Sequence, residues 1–314
     1  MKILFVWTGV TSYMADCWRE LARRNGIDLK VIIERHRSGS EIDISGVLHG
    51  FDFRIAEEGS LVKPDGWVPD VIFAVGWHSR IVREIVGCER LRAVPKVCCF
   101  DMPWRWKLRC VAARWVLGMF LRKYDAAFVP GEMAARYARW LGFRRIHKGL
   151  FSLDASRFPG EAGAKDFMFI GRDAPEKRID LIRAAYDCYW AKGGSWNLDI
   201  YGGSNFVQPS EVPALYKTHA CLLLASSFDP WPLVMLEATL SGLMVIASDR
   251  CGNVDELGAR KIRYADVDAM AEAMLKAEHG EICAAGRDRA IPYDCRRWAD
   301  RVLAICGETH SGVL

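Results

Sequence analysis

Twice along its length, the chain alternates short, uniformly apolar runs with longer amphipathic segments, and this limits its fold more than any other feature. In the first half the apolar runs are KILFVW, IDLKVIIE, PDVIFAVG, VPKVCCF and DAAFVP. Among the segments between them, SYMADCWRELARRNG has a Ser at its start, apolar residues at helical spacing and a closing Gly, and GEMAARYARWLG has the same helical character. WKLRCVAARWVLGMFLRKY reads as one long helix. Strands that are apolar along their whole length belong to a parallel sheet covered by helices on both faces. A stretch rich in Gly, Ser, Asp and Pro, GLFSLDASRFPGEAGAKD, then interrupts the pattern.

The alternation restarts with FMFIG, KRIDLIRAAYDCYWAKGG, WNLDIYGG, VPALYKTH, ACLLLAS, PLVMLEATLSG, LMVIASD and DVDAMAEAMLKAEHG. YDCRRWADRVLAIC closes the chain as an amphipathic helix. The expected class is α/β, with two Rossmann-like parallel-sheet domains facing an interdomain cleft. The expected boundaries are 1–155 for the first domain, 156–290 for the second, and 291–314 for a C-terminal helix packing back toward the first. The length of 314 residues suits two domains. Open α/β sheets bind ligands at the carboxyl ends of their strands, so residues just after each apolar run are the candidates for chemistry.

Composition narrows the class. With 51% apolar and 26% charged residues the chain is neither disordered nor fibrous. No apolar run reaches the roughly 20 residues of a membrane span. MKILFVW is too short in its apolar part for a signal peptide, so it reads as a first strand and the protein as cytoplasmic. The eleven cysteines include no Cys-x-x-Cys pair and no zinc spacing, which favours reduced, buried thiols. Residues 1–155 carry 25 Lys and Arg against 17 Asp and Glu, while the remainder carries 18 against 22. A basic first half suits an anionic partner.

The second half holds the sharper candidates. In FMFIGRDAPEKRIDLI a strand ends at Gly171, Arg172 follows at once, and Lys177 precedes a helix. A guanidinium fork and a mobile ammonium beside a helix N-terminus can neutralise a diphosphate. In SSFDPWPLVMLEATLSG, Asp229 follows an apolar strand, Pro232 suits the first helical turn, and Leu233 and Val234 offer the helix's first amides. Glu237, with seven residues between it and Asp229, falls inside this apolar helix, where an unpaired charge is costly. It pairs either with a neighbouring side chain or with a ligand; two carboxylates at this spacing can grip a polyhydroxylated ligand. Asp266 and Asp268, in DVD, open a peripheral helix and read as a cap.

Together these segments resemble the donor half of family 4 glycosyltransferases, which have the GT-B fold. The resemblance is carried by Gly171-Arg172 and Lys177, by Asp229 with Glu237-Ala238, and by SGLMVIASDRCG. It covers residues of about 125 to 260 in order and spacing; the first part resembles the family only in layout. It implies a retaining, nucleotide-sugar-dependent enzyme that needs no metal, with a nucleoside-diphosphate sugar as donor substrate and no cofactor. Arg172 and Lys177 would hold the diphosphate, Leu233 and Val234 would add amides, Glu237 would bind the ribose diol, and Asp229 the transferred sugar. Three departures concern the sugar more than the reaction: Asp229 stands where the family usually has Glu, Trp231-Pro232 where it has Phe-Gly, and Arg178 where it has Gly.

In the first half, Gly9 and Thr11 follow the first strand, His78 follows another, and Asp101 ends a third, placing them on the acceptor or sugar side. Phe100 occupies the place of a His common in the family. Between Met102 and Tyr124 lie six basic and no acidic residues, interleaved with Trp104, Trp106, Trp115 and Phe120. Such a segment suits peripheral contact with the inner face of an anionic membrane carrying a lipid-linked acceptor. Nucleic acid is the less favoured partner. The expected function is sugar transfer to a glycan or lipid-linked acceptor in bacterial surface polysaccharide or lipopolysaccharide assembly. The alternatives are a non-catalytic sugar-nucleotide-binding subunit and a transferase acting on modified nucleic acid.

Overall fold

A computed structural model describes residues 1–9, 11–34, 47–56, 67–105, 107–158, 160–203 and 205–311. In chain order the elements are β1 (Lys2–Thr8), α1 (Ser12–Ala22), β2 (Asp28–Glu34), β3 (Asp52–Ala56), β4 (Val71–Val75), α2 (Arg80–Gly87), β5 (Lys96–Cys99), α3 (Leu108–Val116), α4 (Gly118–Leu121), β6 (Ala126–Val129), α5 (Glu132–Leu141) and β7 (Ile146–Lys148). There follow β8 (Phe167–Ile170), α6 (Ile179–Ala191), β9 (Leu198–Tyr201), α7 (Val212–Tyr216), β10 (Cys221–Leu224), α8 (Leu233–Leu240), β11 (Met244–Ser248), β12 (Arg260–Ile262), α9 (Val267–Glu278) and α10 (Cys295–Ser311). The chain divides into two compact units, residues 1–154 with 294–314, and residues 155–293.

The first unit is built on a parallel sheet ordered β3-β2-β1-β4-β5-β6-β7. Alternate residues of β1 feed two separate cores. Ile3, Phe5 and Trp7 join α1 and α10 on one face, and Leu4 and Val6 join α2, α3 and α5 on the other. A strand that must be apolar on both faces is why KILFVW shows no period-two pattern. Trp298 of α10 is fully buried, its ring 5.6 Å from that of Phe5, and its indole N–H donates to the Leu150 carbonyl at 2.8 Å. The last helix is thus part of the first unit's core, and truncating such a Trp costs about 3–5 kcal/mol.

The second unit has a parallel sheet ordered β12-β11-β10-β8-β9. Its core strands are the apolar runs expected from the sequence. The strands not anticipated, β3, β7 and β12, all lie at sheet edges and are short or charged, as edge strands commonly are. The long helix expected over residues 106–124 is instead two, α3 and α4, broken at Leu117–Gly118. Glycine disfavours the helix interior by about 1 kcal/mol. As expected, Asp266 caps α9, accepting from the Ala269 N–H at 3.0 Å. The cysteines are free thiols, most of them buried. No described helix is long and apolar enough to cross a membrane.

Candidate functional site

In the second unit the chain runs from β8 to β9 on one side of it, then crosses to β10 on the other. The sheet's topological switch point, where ligands bind in open α/β folds, therefore lies between β8 and β10. Their ladder spans only Cys221 with Phe167 and Leu222 with Met168. Beyond it, one loop carries Gly171, Arg172 and a tight turn at Pro175–Lys177, and the other carries Ser226 to Asp229. These loops meet: the Lys177 ammonium donates to Asp229 Oδ2 at 2.5 Å, with the two side chains only 16% and 12% exposed. The Ser227 N–H and hydroxyl both donate to the Glu176 carbonyl, at 2.8 and 3.2 Å. Asp229 is also held through its backbone, its N–H to Arg250 and its carbonyl to Gly252. Arg172 extends into solvent, with a loose 3.6 Å contact to Glu176.

Helix α8 begins at Leu233, and Pro232 stands one residue ahead of it in extended backbone rather than in its first turn. The Pro232 carbonyl accepts from the buried Asn253 amide at 3.0 Å. Trp231 is buried with its ring 5.1 Å from Tyr293. The Pro-Trp-Pro turn is thus anchored in the unit's interior. Glu237, partly buried on α8, accepts a hydrogen bond from the Tyr216 hydroxyl at 2.8 Å. Burial pushes its carboxyl above the usual Glu range, against the Tyr216 hydrogen bond and the charge of Arg157, which pull it down. The Tyr216 hydroxyl, fully buried, is itself raised well above the ordinary phenol by burial and by the Glu237 charge. In the unliganded chain, then, the partner of the helical carboxylate is a tyrosine. Neither Tyr216 nor Arg157 was marked by the sequence, because their places beside Glu237 come from distant segments.

Two backbone features shape the β8 loop. A Cβ at Gly202, where φ is +137°, would lie 1.9 Å from the Gly171 carbonyl oxygen, so only glycine lets the turns after β8 and β9 approach this closely. Arg178 adopts a left-handed conformation at φ 52°. The glycine usual in the resembled family would take this conformation without strain; an L-residue pays about 1–2 kcal/mol. Here the guanidinium is fixed by Asp180, with contacts at 2.6 and 2.8 Å, and by the Tyr264 hydroxyl.

In the first unit the switch point falls between β1 and β4, since the chain moves out to β2 and β3 before returning. At the carboxyl ends of β1, β2, β4 and β5 lies a pocket of about 850 Å³. Thr11, His78 and Asp101 line it, together with Trp7, Glu34, Trp77, Phe100 and Phe151. Gly9 does not line it; it takes φ 73° and donates its N–H to the Glu34 carbonyl at 3.1 Å. Phe100, in the family's His place, is buried with its ring 5.4 Å from Trp77. The aromatic walls and the buried Glu34 are contributions the sequence did not single out, because apolar residues at strand ends look like core.

Residues 204–293 match the family model described as glycosyl transferases group 1. The matched segment contains Asp229, α8 and Glu237, while Arg172 and Lys177 precede it. No curated protein matches the sequence. Solved structures resemble the whole chain. A lipopolysaccharide outer core galactosyltransferase, WaaB, has a TM-score of 0.70 at 14% identity, covering 100% of both chains. An Anabaena protein, HepE, in complex with UDP and glucose, has 0.70 at 12%, covering 98% of this chain and 100% of its own. An α,α-trehalose-phosphate synthase (UDP-forming) from Burkholderia vietnamiensis has 0.72 at 12%, covering 98% and 100%. At these identities the likeness establishes the fold, which is GT-B, with two Rossmann-like parallel-sheet domains. Together with the family match, it supports a glycosyltransferase.

Proposed function

We propose that the protein is a retaining, metal-independent family 4 glycosyltransferase that moves a sugar from a nucleoside-diphosphate sugar to an acceptor hydroxyl. The observation carrying this is the meeting of Lys177 and Asp229 at the second unit's switch point, beside the α8 N-terminus that leads to Glu237. A diphosphate placed there would take Lys177 from Asp229, draw in the exposed Arg172, and receive the first α8 amides of Leu233 and Val234. Asp229, released, would accept hydrogen bonds from the sugar, and Glu237 from the ribose diol.

Charge grows on the diphosphate as the bond from the anomeric carbon to its oxygen breaks, and these cations and amides stabilise it. The acceptor oxygen bonds to the same face of that carbon, and its proton passes to an oxygen of the leaving phosphate, so no protein base is assigned. On the first unit, Thr11, His78 and Asp101 in their aromatic pocket would bind the acceptor, a glycan or lipid-linked glycan of bacterial surface assembly.

One observation favours a second reading, a sugar-nucleotide-binding subunit without activity: the Lys177–Asp229 pair and the buried Trp231 tie this loop to the chain's own side chains, and Asp229-Pro-Trp-Pro departs from the family's usual residues. A panel of nucleoside diphosphates and their sugars separates the two. Thermal stabilisation by a donor together with its turnover supports the transferase, and stabilisation without turnover supports the binder. If no nucleotide stabilises the chain and Lys177→Ala changes nothing, both fail.

A further inference from the structure

The α3–α4 segment has two apolar faces. Cys110, Ala113, Leu121 and Tyr124 point into the first unit's core. Leu108, Trp115, Val116 and Met119 stand outside it, 89%, 67%, 78% and 84% exposed, and make up half of the exposed large hydrophobic residues among the described residues. Within α3, Leu108 and Trp115 lie two turns apart on one face with Val116 beside them, and Met119 follows in α4; an exposed apolar ridge of this kind marks an interaction surface. The same segment, through Arg114 of α3 and Gly118 and Leu121 of α4, helps line a pocket of about 390 Å³ that holds three guanidinium groups, Arg114, Arg122 and Arg144, with Asp125 as its acidic residue. Asp125 is already engaged, accepting from the Lys96 N–H at 2.8 Å. Arg114 donates to the Trp140 carbonyl at 3.2 Å. Among the described residues, Arg122 and Arg144 have no ion-pair partner. A neighbouring pocket shares Arg122 and Asp125 and adds Lys123; its Lys96 is buried with the ammonium on the Leu91, Arg92 and Val94 carbonyls, and its Arg92 pairs with Glu89 at 3.1 Å. Trp106 lies outside the described residues.

We infer that α3–α4 docks the protein on an anionic lipid bilayer, with the Leu108–Trp115–Val116–Met119 ridge entering the acyl boundary and the Arg122–Arg144 pocket holding a lipid phosphate headgroup. An apolar ridge flanked by unpaired cations is complementary to a bilayer surface, which presents hydrocarbon beneath a layer of negative charge. Neither a basic patch alone nor an apolar patch alone would need both. Six residues before the ridge, Met102 lines the first unit's pocket. A membrane-held acceptor would therefore be presented close to that pocket; this link rests on the glycosyltransferase proposal, whereas the docking surface does not.

The test is flotation of the full chain with phosphatidylcholine vesicles, with and without phosphatidylglycerol, at low and high salt. The chain should float only with the anionic vesicles and be partly released by salt. The triple change Leu108→Ser, Val116→Ser, Met119→Ser should weaken flotation about 100-fold. Arg122→Gln with Arg144→Gln should weaken it about 25-fold. Thermal melting should show both variants folded, since all five side chains are exposed. No flotation of the wild type, flotation unchanged by the ridge variant, a dimer in sedimentation that the ridge variant dissociates, or DNA binding through the same arginines in place of lipid would each overturn the inference. None of these readouts depends on sugar transfer, so failure here and failure of the transferase proposal are told apart.

Discussion

The Lys177 ammonium and Asp229 carboxylate, 52 residues apart in sequence, form a 2.5 Å ion pair that closes the switch point of the second sheet. Each neutralises the other in the unliganded chain, so a ligand that takes one must release the other. Asp229→Asn should therefore free Lys177 and tighten binding of a nucleoside diphosphate without sugar by about tenfold, while lowering sugar transfer about 100-fold. Lys177→Ala should abolish stabilisation by the diphosphate. Calorimetric titration beside a transfer assay checks both; equal loss of diphosphate binding in the two variants would contradict the exchange.

Glu237 should impose a pH dependence of opposite sign on stability and on donor binding. Its carboxyl titrates higher folded than unfolded. Its contribution to stability is therefore fully present below the unfolded value of about 4.3 and is lost as pH rises through the raised folded value. Ribose hydroxyls need the ionised form, so donor affinity should rise with pH over that same upper window. Glu237→Gln should flatten both profiles and stabilise the unit at neutral pH while weakening the donor. Denaturation and donor titration against pH measure them.

Tyr216→Phe removes the hydrogen bond that pulls the Glu237 carboxyl down. The midpoint for donor binding should then move upward, because the hydrogen bond favours the charged form of the carboxyl and its loss leaves burial less opposed. A midpoint that stays in place would show that Tyr216 does not tune Glu237.

Gly202→Ala should destabilise the second unit by at least about 3 kcal/mol, since its Cβ would overlap the Gly171 carbonyl and its φ is unfavourable for any side chain. Chemical denaturation reads this directly, and a loss below about 1 kcal/mol would mean that the turns after β8 and β9 move apart easily.

At Arg178, replacement by glycine and by alanine should differ. Arg178→Gly relieves the left-handed strain as it removes the Asp180 contacts, and should melt close to the wild type. Arg178→Ala keeps the strain and loses the contacts, and should melt below both. Thermal melts of the two variants supply the comparison.

The order of buried strands and the residues that end them could be read from composition and spacing alone. A strand covered on both faces has no choice but to be apolar throughout, and the residue after it has little choice but to face the ligand side of the sheet. Gly171 was legible for that reason; Lys177 and Asp229 were legible as charged residues in the loops that follow β8 and β10, and the cap at Asp266 by its place at the start of α9. Edge strands such as β12 carry no such constraint and were not legible. The pairing across space was hidden as well: Lys177 with Asp229, Tyr216 with Glu237, Arg178 with Asp180 and Tyr264, and the aromatic walls around Asp101. Local sequence carries a residue's backbone environment, but a side chain's partner is chosen by strand order, which brings together loops that are far apart along the chain. The same holds for the α3–α4 ridge, where Leu108 and Cys110 look equally apolar in sequence and only packing against the sheet separates the buried face from the one left to solvent.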